Sequence, residues 1–288
     1  MAEAQLHKKT SFITLTYRNE ELPLARATSS QSLTVARDVR LGSRQQVDRR
    51  ARTETPTREE QEWYTLAKAD LQGFTKRLNE DVRRRSSRGV KYFACGEYGD
   101  TTQRPHYHIA VYGEDFSDDR QQWAHSKSGN QLWRSSRLKR LWPHGDADIG
   151  DLTFESAAYI ARYQMKKITG RKADEHYTRV DREGNMTRLQ PEFCVMSRRP
   201  GIASEWFAQY KDDVYPHDHV ISRGHPAKPP RYYDKLLEQI DPYLLQNIKA
   251  DRITAAENNA GDNTPARLEA RETVAQAKLN QTKRSLEK

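Results

Sequence analysis

The sequence predicts an α+β fold: a central antiparallel sheet flanked by helices, with a polar helical C-terminal tail. Three observations carry that reading. Segments that alternate with period two occur beside segments whose apolar residues recur at three- and four-residue steps, the signatures of half-buried strands and amphipathic helices. Two of the strands are close enough in the chain to form a hairpin. Strands and helices also follow one another without the βαβ rhythm of a parallel sheet.

Each element has its own justification. "SFITLTY", residues 11–17, is β-branched, aromatic and alternating, and reads as a strand. Residues 25–58 are polar and rich in Arg, Ser and Thr, a long basic insertion. In "EWYTLAKADLQGFTKRLNEDVRRR", Trp63, Leu66, Ala67, Leu71, Phe74 and Leu78 fall on one stripe of a helix. "VKYFACGEY" and "PHYHIAVYG" are two strands joined by "GDTTQR", whose Gly99 and Asp100 are turn formers. Residues 121–141 read as a helix and 146–152 as a short strand. Residues 154–169 form an amphipathic helix, with Thr153 as N-cap and Gly170 beyond its end. "EFCVMSRRPGIASEWFAQY" runs from a strand through a Pro-Gly turn into a helix. The proline-rich "HPAKPPRYYD" then leads to a tail too polar for a core from about Leu244 onward, either a helix that pairs with DNA or a partner, or a disordered segment. The domain reading is an N-terminal tail at 1–10, one domain at 11–215 and an extension at 216–288.

Composition narrows the function classes. Charged residues make up 31% of the 288 and hydrophobic ones 35%, and the net charge is +9. With a pI near 9.4 and a mean hydropathy of −1.02, the chain suits a polyanionic partner, nucleic acid being the usual one. Two cysteines do not make a disulfide framework. No apolar run reaches the length of a membrane helix, and "MAEAQLHKKT" lacks the apolar segment of a signal peptide. A soluble, intracellular protein is expected.

The chemistry concentrates in two places. His106 and His108 are two apart on a strand and share a face, while Tyr107, Ile109 and Val111 line the other. With the turn centred between residues 101 and 102, Glu97 falls opposite His106 and Cys95 opposite His108. Glu97, His106 and His108 then converge as a two-imidazole, one-carboxylate site suited to Mg²⁺ or Mn²⁺; the alternative is a pair of structural strand histidines. A second pair, His217 and His219, has Pro216 and Asp218 as neighbours and reads as a loop. In "FESAAYIARYQMKKITG", Tyr159 and Tyr163 lie four apart on one helix face, with Lys166 one turn on. Phe154, Ala157, Ala161, Met165 and Ile168 make the opposite stripe, the one expected to pack on the sheet. The tyrosines are either half-buried surface rings or nucleophiles whose phenolate Lys166 supports.

The residues quoted resemble those of a known family. "RPHYH" resembles the His-hydrophobe-His motif of the HUH single-strand endonucleases, "YIARYQMKK" their two-tyrosine motif and "FITLTY" their first motif. "CGEYGDTTQRPHYH", "MSRRPGI" and "PPRYYD" are similar to the replication initiators of the gokushovirus branch of the Microviridae. The resemblance implies an RRM-like sheet and rolling-circle replication. In it a tyrosine attacks a metal-held phosphate, stays linked to the DNA 5′ end and releases a 3′-OH. It further implies Glu97, His106 and His108 as metal ligands, Tyr159, Tyr163 and Lys166 as catalytic residues, a single-stranded origin as substrate, host polymerase and helicase as partners, and the host bacterial cytoplasm as location. Arg104, Lys167, Arg198 and Arg199 are candidates for the DNA backbone, or else belong to solvated surface. The insertion at 25–58 departs from the pattern. Two other classes compete: a non-catalytic single-strand-binding module of RRM-like fold, and a metal-dependent phosphohydrolase in which water attacks.

Overall fold

The computed structural model describes residues 1–25, 63–126, 128–166 and 168–281, with the side chains of 163–166 and 279 excepted; the insertion expected at 25–58 falls almost wholly outside them. The strands are β1 (Thr10–Thr16), β2 (Lys91–Tyr98), β3 (Pro105–Tyr112), β4 (Arg120–His125), β5 (Gln131–Ser135), β6 (Ala147–Gly150), β7 (Thr178–Val180), β8 (Met186–Arg188), β9 (Phe193–Met196), β10 (Val220–Ser222) and β11 (His225–Ala227). The helices are α1 (Ala2–Gln5), α2 (Lys68–Arg85), α3 (Ser136–Leu141), α4 (Phe154–Lys166), α5 (Arg171–Tyr177), α6 (Ser204–Val214), α7 (Arg231–Ile240), α8 (Pro242–Asn258) and α9 (Pro265–Gln281). Seven strands form one antiparallel sheet in the order β4-β5-β6-β1-β3-β2-β9. The fold is α+β, as the alternation and the hairpin require.

Alternation sorts the sheet into two unlike faces. Ile13 and Leu15 of β1, Ala94 of β2, and Tyr107, Ile109 and Val111 of β3 all turn to one side, and they are buried in one cluster with Leu71, Phe74, Leu78 and Val82 of α2. Those four α2 residues recur at three- and four-residue steps, so a single helix stripe meets a single sheet face. Each such side chain contributes about 1.5–3 kcal/mol on burial. Helix α2 begins at Lys68, later than the apolar stripe suggests. Just before it, the backbone N–H groups of Leu66 and Ala67 donate to the hydroxyls of Tyr98 and Tyr107, at 3.1 and 2.9 Å, and Tyr64 bridges to Leu24.

Residues 121–141 are the main correction. They form β4, β5 and only the short α3. The turn between the strands decides this: Gly129 sits at φ +82°, its N–H donates to the Ser126 carbonyl at 2.8 Å, and Ser126 Oγ accepts from Asn130 N–H at 3.0 Å. Side chains that bond the local backbone compete with the helix ladder. The helix resumes where Ser135 Oγ caps it, accepting from Leu138 N–H at 3.0 Å.

Packing divides the described residues into two compact units, one from His7 to Ser197 and a second of Ala2–Leu6 with Arg198 onward. The boundary thus precedes the expected 215, because Phe207 and Val214 of α6 bury with Tyr233, Leu237, Leu245 and Ile248. The tail past Leu244 is therefore not devoid of core: Leu245 and Ile248, three apart on one side of α8, are enough to anchor it. Beyond α8, α9 is exposed along its described length.

Truncating Ile109 to Ala is expected to cost about 2–5 kcal/mol, read as a lower midpoint of denaturant unfolding, while Ile253→Ala on the exposed side of α8 should stay within about 0.5 kcal/mol. Equal shifts for the two would remove Ile109 from the core.

Candidate metal centre and tyrosine helix

The β2–β3 hairpin sets the site. Its register pairs Glu97 with His106 and Cys95 with His108, and the turn is closed by Gly99 N–H on the Arg104 carbonyl at 3.0 Å and Gln103 N–H on the Gly99 carbonyl at 2.9 Å. Because His106 and His108 alternate with the core residues of β3, both rise from the face opposite α2. Glu97, His106 and His108 are buried. Nε2 of His106 lies 2.8 Å from Glu97 Oε1, and Nε2 of His108 lies 2.9 Å from the same oxygen.

Outer contacts orient these rings. His106 Nδ1 is 3.1 Å from the Arg104 carbonyl, which can only accept, so Nδ1 carries the proton. In the neutral ring Nε2 is then a bare lone pair aimed at a carboxylate oxygen, an arrangement that repels unless a proton or a cation sits there. Thr14 Oγ1, opposite His108 in β1, lies 3.1 Å from His108 Nδ1 and can hold that ring in the same tautomer. Phe12 stacks on His108 with centroids 5.4 Å apart. Glu97 Oε2 is buried with no hydrogen-bond partner among the described residues. Two cis donors on an octahedral ion with bonds of about 2.1 Å stand about 3 Å apart, close to the observed separations. The residues therefore fit a small divalent cation, and among the described residues they are the one trio of His, Cys, Asp or Glu side chains gathered closely enough to hold an ion.

Helix α4 lies against β2 and β3. Its N-terminus is capped reciprocally: Ser156 N–H donates to Thr153 Oγ1 at 3.2 Å, and Thr153 N–H to Ser156 Oγ at 2.8 Å. The face it presents to the sheet is the reverse of the expected one. Tyr159 is only 3% exposed and Ile160 is fully buried, whereas Phe154 is 37% exposed and Ala161 is exposed. The sheet beneath carries histidines rather than an aliphatic surface, so an aromatic ring with a polar tip suits it better than the alanine stripe. Tyr159 meets His108 edge-on at 5.2 Å between centroids. Tyr163 and Lys166 belong to the same helix, and their side chains lie outside the described residues, as does all of Lys167.

The remaining candidates fare differently. The Arg104 guanidinium is bound within the protein, donating to Asn19 Oδ1 at 2.8 Å and to the Tyr17 carbonyl at 2.9 Å. Arg198 and Arg199 are exposed and lie in the second unit. His217 and His219 sit in a loop, with His219 Nδ1 3.0 Å from the His217 carbonyl. Tyr107, between the two histidines in sequence, faces the other way, and burial pushes its phenol above the usual range, which leaves it a core residue. Sequence reasoning missed Thr14, Phe12 and the Arg104 carbonyl. The alternation of "FITLT" was the one available signal for the first two, since it sets residues 12, 14 and 16 on one face.

Residues 49–168, a span that includes both the hairpin and α4, match the family model for replication-associated protein ORF2. The chain is 35% identical over 185 residues to replication-associated protein ORF2 of Spiroplasma virus 4, covering 62% of this chain and 53% of that protein. It is 30% identical over 179 residues to replication-associated protein VP4 of Bdellovibrio phage phiMH2K (60% and 52%), and 26% identical over 170 residues to replication-associated protein ORF4 of Chlamydia phage 1 (58% and 40%). The chain thus spans about half the length, or less, of these curated relatives. No solved structure matches it.

Mn²⁺ titration followed by electron paramagnetic resonance should show a bound ion in the wild type and none in the His106→Ala, His108→Ala double variant. Thr14→Val should weaken binding about 10- to 100-fold, as loss of an outer-shell partner does. Wild-type affinity in the double variant would exclude these histidines as ligands.

Proposed function

We propose that this chain, a relative of phage replication-associated proteins, initiates DNA replication by nicking a single-stranded origin through a tyrosine nucleophile of the HUH type. The observation that carries the reading is the convergence of His106 and His108 on Glu97 beneath the ring of Tyr159. Glu97, His106 and His108 would hold Mg²⁺ or Mn²⁺, which when bound supplies Lewis acidity that draws charge off a phosphate. Arg104 acts through its carbonyl, which keeps the His106 Nε2 lone pair turned inward.

A phenol of α4, Tyr159 or Tyr163, attacks the phosphorus. The bond from phosphorus to the 3′ oxygen breaks, the phenol's proton is lost and the 3′ oxygen gains one. The products are a 5′-phosphotyrosyl link and a free 3′-OH. Lys166 supports the phenolate. The second tyrosine cuts the regenerated origin while the first is still occupied, and the freed 3′-OH then attacks the first phosphotyrosine and closes a circle. The energy of the phosphodiester is retained throughout, so no nucleotide hydrolysis is needed. The strand so released is extended by a host polymerase and opened by a host helicase, inside the host cell. A non-catalytic single-strand binder would have no use for a buried carboxylate between two imidazoles. A water-based phosphohydrolase would have no use for a tyrosine packed edge-on against one of them.

Incubation with pooled single-stranded oligonucleotides and Mn²⁺ should give an adduct that survives denaturation. Tyr159→Phe or Tyr163→Phe alone should leave some nicking but abolish circle release, and the double change should leave no adduct. Lys166→Ala should slow adduct formation without moving it. Peptide mapping that finds DNA on a residue other than Tyr159 or Tyr163 would remove α4 from the mechanism. In a separate binding measurement, Arg198→Ala with Arg199→Ala should flatten the dependence of log affinity on log salt by about 1.4, at roughly 0.7 per single-strand phosphate contact; an unchanged slope would put the DNA elsewhere.

A further inference from the structure

The sheet face that bears the histidines carries a second feature at its far edge. β4 and β5 form the edge hairpin, and a bulge between Gln122 and Ala124 leaves Trp123 as the extra residue. A bulge re-aims the side chain it carries. Trp123 is 47% exposed, high for the largest aromatic residue, and the Arg134 guanidinium stacks 3.8 Å from its ring centroid.

Arg134 ties this ring to the centre. Its neighbour Trp133 pairs with Ile149 and packs on the core, so Arg134 turns to the histidine face. Arg134 Nε donates to Asp148 Oδ1 at 2.8 Å. Asp148 stands opposite Thr14, and Thr14 opposite His108. Arg134, Asp148, Thr14 and His108 thus form one row across one face of the sheet. Three strand spacings separate β3 from β5, about 14–15 Å, a reach of a few nucleotides along a single strand.

We propose that Trp123, backed by Arg134, is a stacking platform for an unpaired base of the DNA strand whose phosphate lies at the Glu97–His106–His108 centre. The guanidinium supports one side of the indole, and the base stacks on the exposed remainder. The inference rests on the nicking reading above for the identity of the strand. Stacking needs an open base face, which a single strand offers and a duplex hides. The Arg134 charge is already met by Asp148, so the platform acts by stacking rather than by counterion release. Its contribution is therefore insensitive to salt, unlike that of an arginine on a phosphate.

The test uses the full chain and measures two things separately: anisotropy of labelled single-stranded DNA across a salt series, and adduct formation with Mn²⁺. Trp123→Ala should weaken binding about 5- to 150-fold, the range for loss of one base–aromatic stack, by the same factor at every salt. Trp123→Phe, which keeps a ring and guards against a folding artefact, should retain most of the affinity and lose the DNA-induced quenching of indole fluorescence that the wild type shows. An abasic site a few nucleotides from the adduct should weaken the wild type and leave Trp123→Ala unaffected. Trp123→Ala affinity within twofold of wild type, or equal loss on duplex DNA or on single-stranded RNA alone, would overturn the platform; the wild-type adduct would then still stand, and with it the nicking reading. A Trp123-dependent affinity without any wild-type adduct would support the platform and sink the nicking reading. A wild type that binds no single-stranded DNA would sink both.

Discussion

Everything at the candidate site depends on the pairing of β2 with β3. One register sets Glu97 opposite His106 and, in the same stroke, sends Tyr107, Ile109 and Val111 into the core. The two consequences cannot be separated, because side chains alternate with period two. A slip of one residue would bury the histidines under α2 and turn the apolar set outward. The core thus holds the metal centre in register: apolar burial on one face provides the energy, and the polar trio on the other receives a geometry it could not hold by itself.

That division of labour explains why the polar face tolerates such unfavourable groups. A buried carboxylate beside two imidazoles is costly unless each lone pair and each proton has a destination. The Arg104 carbonyl and Thr14 hydroxyl take the outward Nδ1 positions, which leaves the inward Nε2 atoms and the Glu97 carboxylate facing one another. Arg104 contributes twice, since its guanidinium also joins the end of the hairpin to the Tyr17 carbonyl. The aromatic rings of Phe12 and Tyr159 then close over His108, restricting the ring and lowering the local dielectric. The same register continues outward through Thr14 and Asp148 to Arg134 and the bulged Trp123, so one sheet face runs from a dry centre to a wet aromatic edge.

Much of this was legible in the residues because it is local. Strand alternation, a short polar turn and a hairpin register are properties of neighbouring residues, and they suffice to bring Glu97, His106 and His108 together. The four-residue spacing of Tyr159 and Tyr163 likewise sets both on one helix face wherever that helix packs. The helix assignment for residues 121–141 went astray for an equally local reason: charged and aromatic residues at mixed spacings mimic a helix, and the Ser126–Asn130 turn that breaks it uses side-chain bonds to the backbone that periodicity does not register.

The sequence by itself determined the strands, the hairpin, the histidine–carboxylate trio and the paired tyrosines, since each follows from contacts between residues close in the chain. The tertiary structure decided which side of α4 meets the sheet, because that depends on what the sheet offers at a distance, and it offers histidines. It decided that Thr14 and Phe12, about ninety positions from His108, complete the site, that the bulge at Trp123 and the row through Asp148 share the histidine face, and that Leu245 and Ile248 of a polar tail find a core with α6 and α7. In each case the partner is supplied by another element, and a one-dimensional pattern carries the preference of a residue without the identity of what it will touch.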